Sequence, residues 1–209
     1  METKPVKIAF WGSSSVYGES DPEGGYVGRF RNWYEDEYEG GSVYNLGVPG
    51  EISTQVLERF PMEYEHRQPD VCVFQMGAND SFRDGGPDIK PQVSLETFVE
   101  NFEKIIKIIN GRSKIFFILR FPMVENNPYK TADDKYDGFF FVNDIEKYVN
   151  ALRDVATRHN IPYLDLWHEW KENERFRDFL DEDIGIHLNE AGHAYVANRL
   201  TEVLPLLFS

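Results

Sequence analysis

Short apolar runs that alternate with amphipathic segments constrain the fold of this 209-residue chain most strongly. The five runs expected to form strands are Val6–Phe10, Ser42–Asn45, Val71–Gln75, Lys114–Leu119 and Tyr163–Leu166. The segments expected to form helices are Tyr26–Tyr38, Ser53–His66, Leu95–Asn110, Val142–His159 and Glu190–Leu204. Strands that alternate with helices form a parallel sheet covered by helices on both faces, because each connection crosses over the sheet. We therefore predict a three-layer α/β/α fold around a five-stranded parallel sheet.

Length and composition favour one compact domain over residues 1–209. Hydrophobic residues make up 41% of the chain and charged residues 28%, a balance typical of globular proteins rather than disordered chains. The longest apolar runs, such as Ile115–Leu119, are far shorter than the roughly 20 residues that cross a bilayer, so we expect no membrane insertion. The single cysteine, Cys72, lies in an apolar run and excludes a disulfide framework.

The charge of the chain limits the partners that it can bind. The net charge is −14, whereas a nucleic-acid partner usually requires a basic surface. We expect a neutral or cationic small-molecule substrate and no nucleic acid. The amino-terminal residues Met1–Pro5 lead directly into the first strand without an apolar signal segment, so we predict an intracellular, cytoplasmic protein.

A serine-rich turn follows the first predicted strand. Residues Gly12–Gly18 contain three consecutive serines, Ser13, Ser14 and Ser15. A buried strand that ends in small residues places a hydroxyl group above the carboxyl edge of the sheet, where open α/β folds bind ligands. A serine hydroxyl becomes a useful nucleophile only when a base removes its proton and donors stabilise the resulting oxyanion.

Candidates for the base and the donors occur further along the chain. Asn45–Gly50 follows the second predicted strand, Gly77–Asp80 follows the third, and Ile186–His193 lies near the carboxyl end. The carboxyl ends of parallel strands meet at one edge of the sheet. We therefore expect Ser14 and His187 to come within hydrogen-bond reach of each other, although they are far apart in the sequence.

These blocks, in this order, resemble the signature blocks of the SGNH, or GDSL-type, hydrolases from Lys7 to about Leu204. The resemblance implies a flavodoxin-like strand arrangement, with Ser14 as the nucleophile and His187 as the base. It also implies oxyanion donors from the backbone amides of Ser14 and Gly47 and from the side chain of Asn79. Ser13 stands where the first block of the family has an aspartate. We interpret that aspartate as a residue that braces the loop rather than one that takes part in the chemistry.

The last block departs from the family pattern, which has an aspartate three residues before the histidine. In this chain Ile184 stands three residues before His187, and the nearest acid is Asp183. A one-residue bulge at Ile184 would let Asp183 complete a catalytic triad; otherwise the site is a Ser-His dyad. Asp181 is two residues farther from His187 than Asp183 is, and Asp165 ends a different strand, so both are weaker candidates.

The residues and the resemblance together predict a serine esterase that cleaves a small acyl ester, such as an acetyl ester, through an acyl-serine intermediate. No histidine pair has the spacing of a metal site, and we expect neither a metal nor a cofactor. Two alternatives stay open. One is a flavodoxin-like module that binds phosphate or FMN at the serine-rich turn, and the other is a catalytically impaired member of the same fold.

Two segments near the predicted strand ends are expected to shape the site, Ser81–Pro91 and Pro122–Phe141. The second segment ends in the run Phe139-Phe140-Phe141. These phenylalanines either pack against the start of the following helix or form a surface for an acyl chain or a lid.

Overall fold

The computed structural model describes residues 5–125, 128–130, 137–171, 174–181 and 185–208. The strands in this part of the chain are β1 (Lys7–Gly12), β2 (Ser42–Gly47), β3 (Val71–Gln75), β4 (Arg83–Asp84), β5 (Lys114–Leu119), β6 (Tyr129–Lys130), β7 (Asp137–Phe139) and β8 (Tyr163–Asp165). The α-helices are α1 (Ser14–Tyr17), α2 (Gly25–Glu37), α3 (Ser53–Arg67), α4 (Ala78–Ser81), α5 (Leu95–Ile109), α6 (Val142–His159), α7 (Leu166–Lys171) and α8 (Glu190–Val203). Two 3₁₀ helices cover Glu174–Phe179 and Pro205–Leu207.

The main sheet has five parallel strands in the order β2-β1-β3-β5-β8. Successive residues of each strand point to opposite faces of the sheet, and side chains on both faces are buried in hydrophobic cores. Along β1, Ala9 and Trp11 belong to a core shared with α3, α5 and α6, whereas Ile8 and Phe10 belong to a core shared with α2 and α8. The sheet therefore lies between two helical layers, as predicted.

The sequence prediction of the fold is confirmed in its main elements. Every predicted strand of the main sheet and every predicted helix is present, with ends within two residues of the predicted ones. The predictions did not include the short helices α1 and α4, which follow β1 and β3 at the carboxyl edge. No helix among the described residues is both long and apolar enough to cross a membrane.

A second, antiparallel sheet with the order β4-β7-β6 is formed by parts of the two predicted site-shaping segments. Residues 126–127 and 131–136 of the second segment lie outside the described residues. Within the phenylalanine run, Phe140 is buried and its ring lies 4.6 Å from the ring of Phe82. Phe139 and Phe141 are half-buried and stack on each other at 5.9 Å, and Phe141 is the N-cap residue of α6. Phe140 therefore belongs to the core that α6 shares, and Phe141 leads directly into α6.

Candidate active site

The serine-rich turn is held against the loop that follows β2. Ser14 is the first residue of α1 and lies directly beyond β1, with a half-buried side chain. The side chain of Ser13 makes no capping hydrogen bond to α1. Instead, Asn45 Nδ2 donates to the carbonyl oxygen of Val16 at 2.9 Å and to that of Tyr17 at 3.2 Å. Asn45 therefore fixes the position of the turn that carries Ser14.

The structure brings together Ser14 and His187. The distance between Ser14 Oγ and His187 Nε2 is 2.9 Å, a normal hydrogen-bond length. The His187 side chain is only 16% exposed, so water has limited access to this contact. A histidine in this position can remove the proton from the serine hydroxyl.

A carboxylate lies on the opposite side of the imidazole ring. Asp181 Oδ2 is 3.5 Å from His187 Nδ1, and the other oxygen of this carboxylate accepts a 2.6 Å hydrogen bond from the Gly185 amide. An isolated antiparallel bridge between Leu180 and Leu188 brings the two segments together. In addition, the Asp181 amide donates to the His187 carbonyl at 3.0 Å. The chain thus folds back on itself and places Asp181 beside the ring.

The other candidate acids are placed differently. Asp183 and Ile184, on which the sequence prediction of the acid depended, lie outside the described residues. Asp165 binds Arg153 at 2.9 Å and His168 at 3.2 Å, so its carboxylate is occupied elsewhere. Among the described residues, Asp181 is therefore the acid that the fold brings to His187.

The other two predicted oxyanion donors lie at the carboxyl ends of β2 and β3, since Gly47 is the last residue of β2 and Asn79 is in the short helix that follows β3. Asn79 is in α4, and its Nδ2 donates to the Glu51 carbonyl at 3.0 Å, which uses one of its two N–H groups. The Gly47 amide donates to Asn45 Oδ1 at 3.0 Å. Gly47 packs so closely on α1 that an added Cβ would lie 2.3 Å from the Tyr17 nitrogen. A side chain is therefore excluded at position 47.

An ion pair fixes the loop between β2 and α3. Arg59 of α3 binds the Glu51 carboxylate through two hydrogen bonds of 2.7 and 2.5 Å. The same guanidinium donates to the Leu46 carbonyl at 2.7 Å. Because the Glu51 carbonyl also accepts the hydrogen bond from Asn79, Arg59 holds both ends of the segment 46–51, which includes Gly47. These positioning residues were not identified from the sequence, which gives no indication that Arg59 reaches back over the loop.

A buried carboxylate lies directly behind Asn79. Asp80 is fully buried; its Oδ1 accepts a 2.9 Å hydrogen bond from the Ser53 amide, and its Oδ2 has no hydrogen-bond partner among the described residues. Asn101 Nδ2 donates to Ser53 Oγ at 2.9 Å. Burial raises the pKa of Asp80 to about 6, because desolvation disfavours the charged carboxylate. Asp80 thus connects the start of α3 to the helix that carries Asn79.

A second buried histidine has a structural role. The Tyr26 amide donates to His193 Nδ1 at 3.0 Å, so the ring carries its proton on Nε2, which donates to the Glu19 carbonyl at 3.0 Å. Burial lowers the pKa of His193 and favours this neutral form. Among the described residues, no group of three or more His, Cys, Asp or Glu side chains is arranged to hold a metal ion.

The sequence is similar to known hydrolases. A model of the GDSL-like lipase/acylhydrolase family matches residues 10–195. The GDSL esterase/lipase WDL1 of Oryza sativa subsp. japonica is 22% identical over 163 residues, which cover 76% of this chain and 62% of that protein. The GDSL esterase/lipase CPRD49 of Arabidopsis thaliana is 23% identical over 141 residues, which cover 66% of this chain and 55% of that protein. The chain thus spans less than two-thirds of the length of these curated relatives.

Solved structures share the fold. A lipase/acylhydrolase from Enterococcus faecalis superposes with a TM-score of 0.72 at 24% identity, and the match covers 94% of this chain and 93% of that one. An acetylxylan esterase from Geobacillus stearothermophilus has a TM-score of 0.74 at 19% identity, covering 97% and 96% of the two chains. The acetyl xylan esterase AlAXEase has a TM-score of 0.72 at 20% identity, covering 94% and 98%.

Proposed function

Because the chain belongs to the GDSL-like lipase/acylhydrolase family, we propose that it is a serine esterase that hydrolyses a carboxylic ester through an acyl-serine intermediate. The 2.9 Å contact between Ser14 Oγ and His187 Nε2 carries this proposal. It is the contact that an activated serine requires, and the fold forms it between two distant parts of the sequence. The family match gives no support to a flavodoxin-like module that binds phosphate or FMN.

The proposed reaction has two halves. His187 Nε2 takes the Ser14 proton while Ser14 Oγ attacks the acyl carbon, and the carbonyl oxygen becomes an oxyanion. When this tetrahedral intermediate collapses, His187 returns the proton to the leaving alcohol and the acyl group stays on Ser14. His187 then deprotonates a water molecule, which attacks the acyl-serine. When the second tetrahedral intermediate collapses, the bond between Ser14 Oγ and the acyl carbon breaks, His187 returns the proton to Ser14 Oγ, and the carboxylic acid leaves.

We assign the role of triad acid to Asp181. Its carboxylate lies 3.5 Å from His187 Nδ1, close enough to stabilise the imidazolium that forms during attack. The hydrogen bond from the Gly185 amide holds this carboxylate in place. Asp183, the acid predicted from the sequence, stays a competing assignment that substitution of each residue distinguishes.

The oxyanion site is proposed to combine the amides of Ser14 and Gly47 with the side chain of Asn79. The Ser14 amide is at the start of α1, where a helix leaves its first N–H groups without internal partners. Asn79 has a second N–H group that a bound oxyanion would accept. The Gly47 amide must share its hydrogen with Asn45 Oδ1 or exchange that bond when the oxyanion forms.

A small acyl group, such as acetyl, is the proposed substrate class. Two of the solved structures with this fold are esterases that act on acetylated xylan, and this supports an acetyl ester. The net charge of −14 supports a neutral or cationic substrate and no nucleic-acid partner. A cytoplasmic location stays a prediction, which fractionation of cells that express the protein tests.

A series of nitrophenyl esters tests the proposal. We expect the acetyl ester to have the highest kcat/KM and the value to fall with chain length, whereas Ser14→Ala should abolish hydrolysis of every ester. A steady rise in kcat/KM toward long acyl chains would contradict the small-acyl assignment alone. Binding of esters without turnover by the unmodified protein would instead identify a catalytically impaired member of the family.

A further inference from the structure

Arg120, which directly follows β5, is a buried arginine below the candidate site. Its residue surface is only 4% exposed. Its Nη2 donates to the Ile186 carbonyl at 2.7 Å, and its Nη1 lies 3.5 Å from Ser15 Oγ. The guanidinium also lies over the ring of Phe121, 4.5 Å from the ring centre. These two polar contacts reach the residue before His187 and the residue after Ser14.

Arg120 differs from several other arginines of the chain, which form ion pairs with carboxylates. Arg29, Arg59, Arg153 and Arg199 each lie within 3.0 Å of a carboxylate oxygen. Within the described ranges, by contrast, the buried Nε of Arg120 has no hydrogen-bond partner, and the charge of Asp181 acts on the guanidinium from nearby. Burial of a guanidinium whose Nε has no partner is costly, and this cost favours a role for Arg120 beyond stability.

We propose that Arg120 is a positioning residue that joins the Ser14 turn to the His187 loop and keeps the serine and histidine in hydrogen-bonding register. The inference rests on the proposed esterase function. A planar guanidinium suits this role because its donors diverge at fixed angles and can hold two separate acceptors at once. The loop is also held by a 3.1 Å hydrogen bond from the Val124 amide to the Gly185 carbonyl, so Arg120 adds a further contact from the segment after β5.

Arg120 also contributes its charge. Burial lowers the pKa of Arg120 to about 10, while the nearby Tyr26 and Asp181 act to raise it. The side chain therefore stays protonated at neutral pH. A fixed positive charge close to Asp181 favours the ionised carboxylate that His187 needs.

The test compares Arg120→Met, which keeps the length of the side chain, with Arg120→Lys, which keeps the charge but not the fork of donors. In Arg120→Met, kcat for nitrophenyl acetate should fall about 10²-fold, the loss expected from a misplacement of about 1 Å. KM should change little, because Arg120 is not expected to touch the substrate. The rate at which a serine-directed phosphonate labels Ser14 should fall by the same factor as kcat. Arg120→Lys should recover part of both rates, with a loss of about tenfold remaining.

Arg199→Met serves as the matched control, since Arg199 pairs with Glu169 on α7 outside the proposed machinery. We expect it to lower thermal stability without a change in kcat. If Arg120→Met folds and has the kcat and labelling rate of the wild type, the inference is wrong. If Arg120→Met does not fold, wild-type kcat and labelling rate in Arg120→Lys would overturn the inference. Loss of kcat with an equal rise in KM would also contradict a positioning role. Full hydrolysis by Ser14→Ala would refute the esterase mechanism itself, whatever the Arg120 variants do.

Discussion

Replacing Asp181 by asparagine removes the negative charge beside His187 and keeps the shape of the side chain. The amide oxygen can still accept the hydrogen bond from Gly185, so the loop should remain in place. At the observed 3.5 Å, two unit charges in an effective dielectric of about 20 attract each other by about 5 kcal/mol. This attraction acts only when His187 is protonated, as it is in the transition state.

An attraction of about 5 kcal/mol corresponds to a rate factor of about 10³–10⁴, and solvent at this partly exposed pair reduces it. We therefore expect Asp181→Asn to lower kcat by about 10³-fold, with KM nearly unchanged. The assay is steady-state hydrolysis of nitrophenyl acetate, with Asp183→Asn as the matched control. If Asp183→Asn loses about 10³-fold and Asp181→Asn loses almost nothing, the acid assignment is wrong and the sequence prediction is right. If neither variant loses activity, the site is a Ser-His dyad.

Three further substitutions test the surroundings of the site. Asn79→Ala removes an oxyanion donor and the hydrogen bond to Glu51, so kcat should fall by about 10²–10³-fold, and an unchanged kcat would remove Asn79 from the oxyanion site. Asp80 has a pKa raised from 3.8 to about 6, so its folded form binds the proton more tightly and stability falls as pH rises from about 4 to 6. Asp80→Asn should therefore stabilise the protein by up to about 3 kcal/mol at pH 8 and by little at pH 4 in urea unfolding, whereas an equal effect at both pH values would refute the burial argument. Gly47→Ala should lower both Tm and phosphonate labelling, because the new methyl group would clash with the Tyr17 backbone, and a fully active Gly47→Ala would contradict that close approach.

The main fold was predictable because its signal is local and repeated. The strands β1, β3 and β5 of the main sheet contain short apolar runs, and α5, for example, has apolar residues at Phe98, Phe102, Ile105 and Ile109 on one face. The second sheet was not predictable in the same way. Its strand β4 has only two residues, and such a strand exists only because it pairs with Asp137–Phe139, a contact that no local pattern records.

The parts of the candidate site that were predictable are those whose positions follow from the strand topology alone. Ser14 and His187 were expected to meet because parallel strands end at one edge, and they lie 2.9 Å apart. The acid could not be ranked by distance along the sequence. Asp181 is six residues before His187, yet the bridge between Leu180 and Leu188 turns the chain back and brings its carboxylate to the ring. Pairing of two apolar residues on either side of an acidic segment is the signal that would have favoured Asp181.

The residues that hold the site in place carry no recognisable motif. Arg120 follows an apolar strand, and Arg59 lies in a helix with many charged residues. From these positions in the sequence, neither arginine can be distinguished from a solvent-exposed surface residue. Only the folded chain shows that Arg120 is 4% exposed and that Arg59 binds Glu51 and the Leu46 carbonyl. Long side chains reach their partners through tertiary contacts, which local sequence patterns do not specify.

The central claim, that Ser14 is an activated nucleophile, is tested most directly by covalent labelling. The protein is treated with a serine-directed phosphonate, digested and analysed by mass spectrometry, alongside Ser14→Ala and His187→Ala. We predict one adduct per chain, located on Ser14 rather than on Ser13 or Ser15, no adduct in Ser14→Ala, and much slower labelling in His187→Ala. Labelling of Ser14→Ala at the rate of the unmodified protein, or an adduct on another serine, would contradict the account.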